Sequence, residues 1–319
     1  MSAPPADPVA ERIAAGAFLL LDKPRGPSSH QVTAWARDLL GVERAGHAGT
    51  LDPNVSGLLW VGVGPALKLL PLVLELPKRY VGVVVLHGAV EARELEGALV
   101  EFTGPIYQTP PVRSAVRRER RVRTVHRLEL VESEGTRRLI DVVADSGTYI
   151  RTLAVDLGEA LGVGAHLEEL RRTATGPFTE ASAITLTELA DAVAARAIGD
   201  PAPLLAALHP IEEVWREFPR IVVKESAASA IAHGAGLARG GIVGAPKGFA
   251  QGARVVLVRR SGELLATGIA RVDAEEMRGS GHGWVVDQTR VFVDAERFPA
   301  LWQEPAGPRR DAPGADVSR

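Results

Sequence analysis

Arg44-Ala45-Gly46-His47-Ala48-Gly49-Thr50-Leu51-Asp52-Pro53-Asn54-Val55-Ser56-Gly57 is the stretch from which the rest of the chain can be read. It gathers Gly, His, Thr, Asp and Pro between a helix-like segment and an apolar run. Gly46, Gly49 and Gly57 permit backbone angles that other residues resist. Pro53 biases Asp52 away from the helical region, toward an extended or turn geometry. The stretch therefore reads as an irregular loop, the kind of segment on which a rigid scaffold presents working side chains. Two readings of Asp52 stay open here. It is either a turn residue capping a neighbouring amide or a carboxylate with chemistry to do.

Working outward, residues 16–21 read as a short strand stopped by Asp22-Lys23-Pro24-Arg25-Gly26-Pro27. Ser28 and Ser29 are candidate N-caps for a helix whose apolar stripe is Val32, Trp35, Ala36, Leu39 and Leu40, ending at Gly41. On the other side, residues 58–63 read as a strand buried on both faces. Gly62-Val63-Gly64-Pro65-Ala66-Leu67 begins like a dinucleotide fingerprint but carries Leu67 at the third glycine position, and no Gly-Lys-Ser/Thr loop exists. Nucleotide binding is unsupported. Further strands are expected over 81–87, 122–131 and 139–144, and helices over 95–102, from Ile150 to Gly162, and over 187–197. Beyond Pro219 the texture changes to short apolar runs at 221–223, 254–258, 264–272 and 291–293 around one helix, 226–233, with glycine turns between. That pattern predicts a compact β-barrel.

The fold expected is mixed α/β: a largely antiparallel sheet domain over 16–215, then a small β-barrel over 219–302. Residues 1–15 are expected to be flexible, and the Pro-, Gly- and charge-rich 303–319 disordered. Zero cysteines exclude disulfides, thiolate zinc and a cysteine nucleophile. The 8 histidines show no metal-ligand spacing, so no metal site is expected. No apolar run reaches membrane length and the N-terminus lacks a signal-peptide pattern, which makes the cytoplasm the default location. A net charge of −2 argues against indiscriminate nucleic-acid coating, but not against a local basic face. Of 37 basic residues only Lys23, Lys68, Lys78, Lys224 and Lys247 are lysines, and arginine suits phosphate forks and base stacking. The most basic stretch carries Arg113, Arg117, Arg118, Arg120, Arg121, Arg123 and Arg127.

Four scattered features suit one site for chemistry on a nucleobase: the Asp52 loop, Tyr80, Tyr149-Ile150-Arg151 and Leu170-Arg171-Arg172. An arginine paired with the aspartate keeps it ionised, and a flipped base needs stacking and an apolar pocket. Gly46-His47-Ala48-Gly49-Thr50-Leu51-Asp52-Pro53 closely resembles the catalytic motif of the TruB family of pseudouridine synthases. So do Asp22-Lys23-Pro24-Arg25-Gly26-Pro27-Ser28-Ser29-His30, Lys78-Arg79-Tyr80-Val81-Gly82, Gly147-Thr148-Tyr149-Ile150-Arg151-Thr152 and Leu170-Arg171-Arg172, in the same order. The segments 108–116, 161–166 and 171–178 resemble the archaeal and eukaryotic dyskerin branch, and the C-terminal β module resembles its PUA RNA-binding domain. Ala48 and Asn54 depart from the family pattern without touching the catalytic positions.

The resemblance implies a pseudouridine synthase fold and an isomerisation in which uracil detaches at N1, rotates and reattaches through C5, with no cofactor. It implies that Asp52 acts on the target nucleoside, by covalent attack or by removing a ribose proton. Tyr80 stacks on the flipped uracil, and Arg151 pairs with Asp52 and helps hold the nucleotide. His47, Tyr149 and Leu170 complete the substrate site, with Lys23 supporting the loop from behind. RNA contacts are expected from Arg113, Arg117, Arg118, Arg120 and Arg171. The implied assembly is an archaeal box H/ACA ribonucleoprotein with a guide RNA, acting on ribosomal RNA. Its implied protein partners are small Nop and Gar subunits and a kink-turn-binding ribosomal-type protein. Two rivals are guide-free action on the T-loop uridine of transfer RNA and a non-catalytic RNP scaffold. Against the scaffold stands the retention of a buried Asp52–Arg151 pair, which desolvation would disfavour. Replacing Arg117, Arg118 and Arg120 by Gln is expected to weaken RNA binding and to flatten its salt dependence. Titrations at several KCl concentrations check this, and an unchanged slope would place these arginines away from RNA.

Overall fold

In the computed structural model the described residues are 7–109 and 119–298, and they divide into two compact units after Val214. Arg113, Arg117, Arg118 and the tail 303–319 lie outside the described residues. The first unit is organised on Ala17–Lys23 (β1), Ala45–Ala48 (β2) and Ser56–Val63 (β3). β3 is buried from Gly57 onward, as its unbroken apolar run predicts. One edge of β3 is covered by antiparallel β1, with Ala17 opposite Val63 and Lys23 opposite Gly57. The other edge is shared. β2 takes Trp60 to Val63, and Ser56 and Gly57 pair in parallel with a later strand. The loop 49–55 leaves β2 beside that change of partner.

Lys78–Leu86 (β4), Gly104–Gln108 (β5), Arg121–Glu134 (β6), Arg137–Ala144 (β7), Ala165–Thr175 (β8), Phe178–Thr179 (β9) and His209–Pro210 (β10) complete the sheet. Its order is β10-β1-β3-β8-β4-β7-β6-β5, with β2 on β3 and β9 on β8. The sheet is thus largely antiparallel, and the β3–β8 contact is its parallel seam. One apolar core lies around β1, β3 and the helices Ser29–Leu40 and Leu186–Ala197, among them Leu19, Leu59, Val32 and Leu189. A second lies around β4, β6, β7 and the helices Ala92–Glu101 and Ile150–Ala160, with Val84, Ile140, Leu153 and Leu157. Leu170 touches both.

Local signals explain the helix ends. Ser28 caps Ser29–Leu40 in a capping box with Gln31, and Gly41 closes it in the left-handed region at φ 64°. Trp35, placed on that helix's apolar stripe by spacing, is 46% exposed, while Val32 and Ala36 are fully buried. Three expectations need correction. Residues 1–15 are not uniformly flexible, because Asp7 caps a helix over Pro8–Ala15 that buries Val9. Residues 44–57 are not all loop, because Ala45–Ala48 form β2. The charged segment around Glu168 and Glu169, given no element above, is β8.

The second unit carries Arg220–Val223 (β11), Leu237–Ala238 (β12), Ile242–Gly244 (β13), Arg254–Val258 (β14), Leu264–Ala270 (β15) and Trp284–Val291 (β16). They form a small barrel-like sheet in the order β12-β16-β15-β14-β11-β13. The last strand begins at Trp284, seven positions before the run at 291–293 that predicted it. Ile221, Val255, Leu257, Leu265 and Val286 fill its interior with Ile231 from the helix Glu225–Ala232. No helix among the described residues is long and apolar enough to cross a membrane.

Two buried features of the first unit have measurable consequences. Gly57 has φ 100°, and a Cβ there would lie 2.2 Å from the Arg172 carbonyl oxygen. Gly104 has φ 118° with nothing within 4 Å of such a Cβ. Gly57→Ala is therefore expected to lower the unfolding free energy by about 1–3 kcal/mol more than Gly104→Ala, the overpacking part of the penalty. Urea unfolding of the two variants measures the difference, and equal losses would mean the seam yields. Lys78 is 4% exposed, and its Nζ donates to the carbonyls of Val73, Leu74 and Leu76 at 3.2, 2.7 and 2.6 Å. Burial, helped by the charge of Arg172 and opposed by Glu75, pushes its pKa down to about 7. Between pH 7 and the ordinary lysine value the unfolded chain holds a proton that the folded chain has lost. Stability should rise with pH across that window, by at most about 1.4 kcal/mol per pH unit. In Lys78→Met that component of the slope should vanish, which unfolding titrations at pH 7, 8 and 9 would reveal.

Candidate active site

The loop between β2 and β3 is held from below by buried polar groups. Ser29, fully buried at the start of its helix, donates its hydroxyl to the Leu51 carbonyl at 2.9 Å and accepts the Leu51 N–H at 2.8 Å. Lys23, also fully buried, donates from Nζ to the carbonyls of Pro24, Pro27 and Pro53 at 2.9, 2.8 and 3.3 Å. Burial lowers its pKa. The Gly26 N–H adds a bond to the Pro53 carbonyl at 2.8 Å. Lys23 thus sits behind the loop, where its amine has no access to a substrate.

Asp52 stands on this fixed backbone with its side chain facing out. The turn is closed by the Val55 N–H bonding the Asp52 carbonyl at 3.0 Å, which leaves the carboxylate free for a partner. That partner is Arg151, whose guanidinium bonds directly to Asp52 Oδ2. Arg151 lies in the first turn of the helix Ile150–Ala160, so the pair spans 99 positions of sequence. Both side chains are 55% exposed. The pair is present as expected, but it is not buried, and the desolvation argument against a scaffold role falls with that. A solvent-facing carboxylate beside a guanidinium is open to a polar, negatively charged ligand.

Tyr80 arrives from β4 and is half-buried against the second core. It lies opposite Arg172 of β8, near enough for the phenol and the guanidinium to interact electrostatically. Arg172 is 1% exposed and also donates from Nε to the Leu58 carbonyl and from Nη2 to the Gly49 carbonyl, both at 2.8 Å. The chain's spacing gave no signal for this role, since Arg171 and Arg172 are identical neighbours. Tyr149 caps the Arg151 helix. Its N–H donates to Gln108 Oε1 at 2.9 Å and its carbonyl accepts from Gln108 Nε2 at 3.1 Å. Gln108, 3% exposed at the end of β5, is a second support that the sequence did not single out. Leu170, half-buried, lies over Gly82, where a Cβ would come within 3.0 Å of its methyl.

The remaining residues fall into three places. His47 is half-buried, 3.2 Å from Thr33 Oγ1 and 3.3 Å from Thr50 Oγ1, with the His30 ring edge-on at 4.7 Å. Burial, then the charges of His30 and Arg172, lower its pKa and so favour the neutral ring. The two imidazoles line a cavity of about 360 Å³ with Thr33, Arg37 and Leu70. Arg120 is exposed and stacks over Tyr107 at 4.4 Å. Arg171 bonds Asp22 at 2.9 and 3.0 Å and Glu180 at 2.6 Å, so two carboxylates pair with its charge. Among the described residues no group of three metal-binding side chains forms.

Models of the TruB family pseudouridylate synthase N-terminal domain and of the tRNA pseudouridylate synthase B C-terminal domain match residues 37–150 and 151–215. A PUA domain model matches 219–292, the barrel-like unit. A probable tRNA pseudouridine synthase B from Pyrobaculum arsenaticum is 46% identical over 302 residues, spanning 94% of this chain and 91% of the relative. A protein of the same name from Methanothermobacter thermautotrophicus is 42% identical over 301 residues, spanning 94% and 93%. Among solved structures, a chain of a Cbf5-Nop10-Gar1 complex superposes with a TM-score of 0.84 at 40% identity, covering 92% of this chain and 90% of that one. A chain of an H/ACA RNP bound to a substrate RNA containing 2′-deoxyuridine gives 0.79 at 38% identity, with 93% and 90% covered. Likeness this extended, at this identity, exceeds what a shared fold produces: the chain belongs to the TruB family of pseudouridylate synthases, which are RNA isomerases.

Proposed function

We propose that this chain converts uridine to pseudouridine as the catalytic subunit of a guide-directed H/ACA-type ribonucleoprotein, with Asp52, Tyr80 and Arg151 as its catalytic residues. The observation that carries the reading is the exposed Asp52–Arg151 pair on a loop whose backbone is fixed from below. The reaction conserves atoms: the N1–C1′ bond breaks, the C5–C1′ bond forms, and the proton lost at C5 is balanced by one gained at N1. Asp52 acts on the ribose, by attack at C1′ or by removing a ribose proton, with the Arg151 guanidinium paired to it in the resting site. Tyr80 offers a ring face to the displaced uracil, and Tyr149 and Leu170 wall the pocket. The first unit carries the catalysis and the PUA unit grips RNA.

Support for the assembly comes from the similar chains, one solved with Nop10 and Gar1 and another in an RNP with substrate RNA. On that basis the partners proposed are small Nop and Gar proteins, a guide RNA and ribosomal RNA, with a kink-turn-binding ribosomal-type protein as a further member. The same reading assigns the activity to the cytoplasm. A second reading, guide-free action on transfer RNA, is favoured by the name that the similar archaeal proteins share. Single-turnover assays on ribosomal and transfer RNA fragments, with and without guide and partners, separate the two. Asp52→Asn is expected to reduce product formation by at least a thousandfold while RNA affinity changes less than threefold. Persistent turnover in Asp52→Asn would overturn the catalytic assignment. Wild-type protein that binds RNA without forming pseudouridine under any of these conditions would leave the scaffold.

A further inference from the structure

Asp52 and Tyr80 come from parts of the sheet that share no main-chain pairing. Asp52 follows β2, which pairs with β3, and Tyr80 lies on β4. β8 stands between β3 and β4, and at one position it faces both: Arg172 is paired with Gly57 on one side and with Tyr80 on the other. From that position its guanidinium bonds the carbonyls of Gly49, three residues before Asp52, and of Leu58 on β3, while its main chain is the one paired with Tyr80. A planar group with five N–H donors can serve both carbonyls in fixed directions, which a compact ammonium does not do. No carboxylate bonds to Arg172 among the described residues, and burial opposes its charge. A lone buried cation is disfavoured by desolvation, so simple stability is a poor reason for having one here. The backbone is shaped to admit it: a Cβ on Gly49, at φ 68°, would lie 2.9 Å from Arg172 Nη1.

We propose that Arg172 is a positioning residue for the isomerisation, setting the distance between Tyr80, which its main chain pairs with, and the loop that carries Asp52, which its guanidinium holds. The proposal rests on the roles assigned above to those two residues. During the reaction the ribose is held at Asp52 while the detached uracil is held at Tyr80. The C5–C1′ bond forms only if these two supports keep their separation while nothing covalent joins base to sugar. Arg172 supplies that constraint without touching substrate.

The chain has 3 tyrosines, Tyr80, Tyr107 and Tyr149, so 3-fluorotyrosine labelling gives three 19F resonances that single Tyr→Phe variants assign. In Arg172→Lys the Tyr80 resonance is expected to shift while that of Tyr107, on the edge strand β5, stays in place. The single-turnover rate should fall at least tenfold, with affinity for the same RNA changed less than twofold. Arg172→Gln, neutral and of similar length, serves as the second variant and should behave in the same way. An unmoved Tyr80 resonance, an unchanged rate, a loss confined to RNA affinity, or failure of both variants to fold would each overturn the proposal. Asp52→Asn in the same assay keeps the two levels apart. If it remains active the catalytic reading fails. If it is inactive while Arg172→Lys matches wild type, only the positioning role falls.

Discussion

Two residue pairs join the halves of the catalytic sheet: Ser56 with Arg171 and Gly57 with Arg172, where β3 runs parallel to β8. Everything at the site depends on this seam. Asp52 belongs to the β1–β3 half, whereas Tyr80 and, through the helix after β7, Arg151 belong to the other. The seam is short, so side chains and close backbone approach reinforce it. Gly57 lets the β8 main chain come nearer than any Cβ allows, and the Arg172 guanidinium fills the space beneath the loop with donors aimed at carbonyls. A buried polar group is tolerable where its hydrogen bonds are met, and Arg172, Lys23 and Ser29 each meet theirs on the backbone they support.

This division of labour separates rigidity from exchange. The loop backbone is fixed by groups at or near zero exposure, whereas the pair it presents is more than half exposed. An exposed ion pair contributes only about 0–1 kcal/mol. A nucleotide can therefore displace or share Arg151 at small cost, and the carboxylate meets it already placed by its backbone. Asp22 and Glu180 do the opposite for Arg171. They clamp a guanidinium between β1 and the turn after β9, so its charge is matched within the sheet. Charge composition alone thus overstates the basic surface, because much of the arginine excess is internally matched.

The same contrast marks what could be read from the chain. The apolar run of β3, the Ser28 and Gly41 ends of the following helix, and the turn-rich texture of the second unit are local properties. Each follows from neighbours within a few positions. β8 was not legible in that way. Its residues Ala165–Thr175 alternate poorly between apolar and polar, since charged side chains such as Glu168 leave the sheet to meet Arg137. β16 extends ahead of its readable apolar run for a related reason: Asp287, Gln288 and Arg290 break its apolar pattern.

By itself the sequence determined the order of the motifs, the two-unit organisation and the identity of Asp52 as the reactive carboxylate candidate, because motifs and periodicities are written in consecutive residues. Only the tertiary structure decided how the site is held. It put Arg151 beside Asp52 in solvent rather than in the interior. It sent Arg171 to two acids and buried the identical Arg172, because successive residues of a strand face opposite ways. It also assigned Gln108 to brace Tyr149. Each of these is a contact between residues far apart in the chain, and burial is a property of the neighbours that folding supplies.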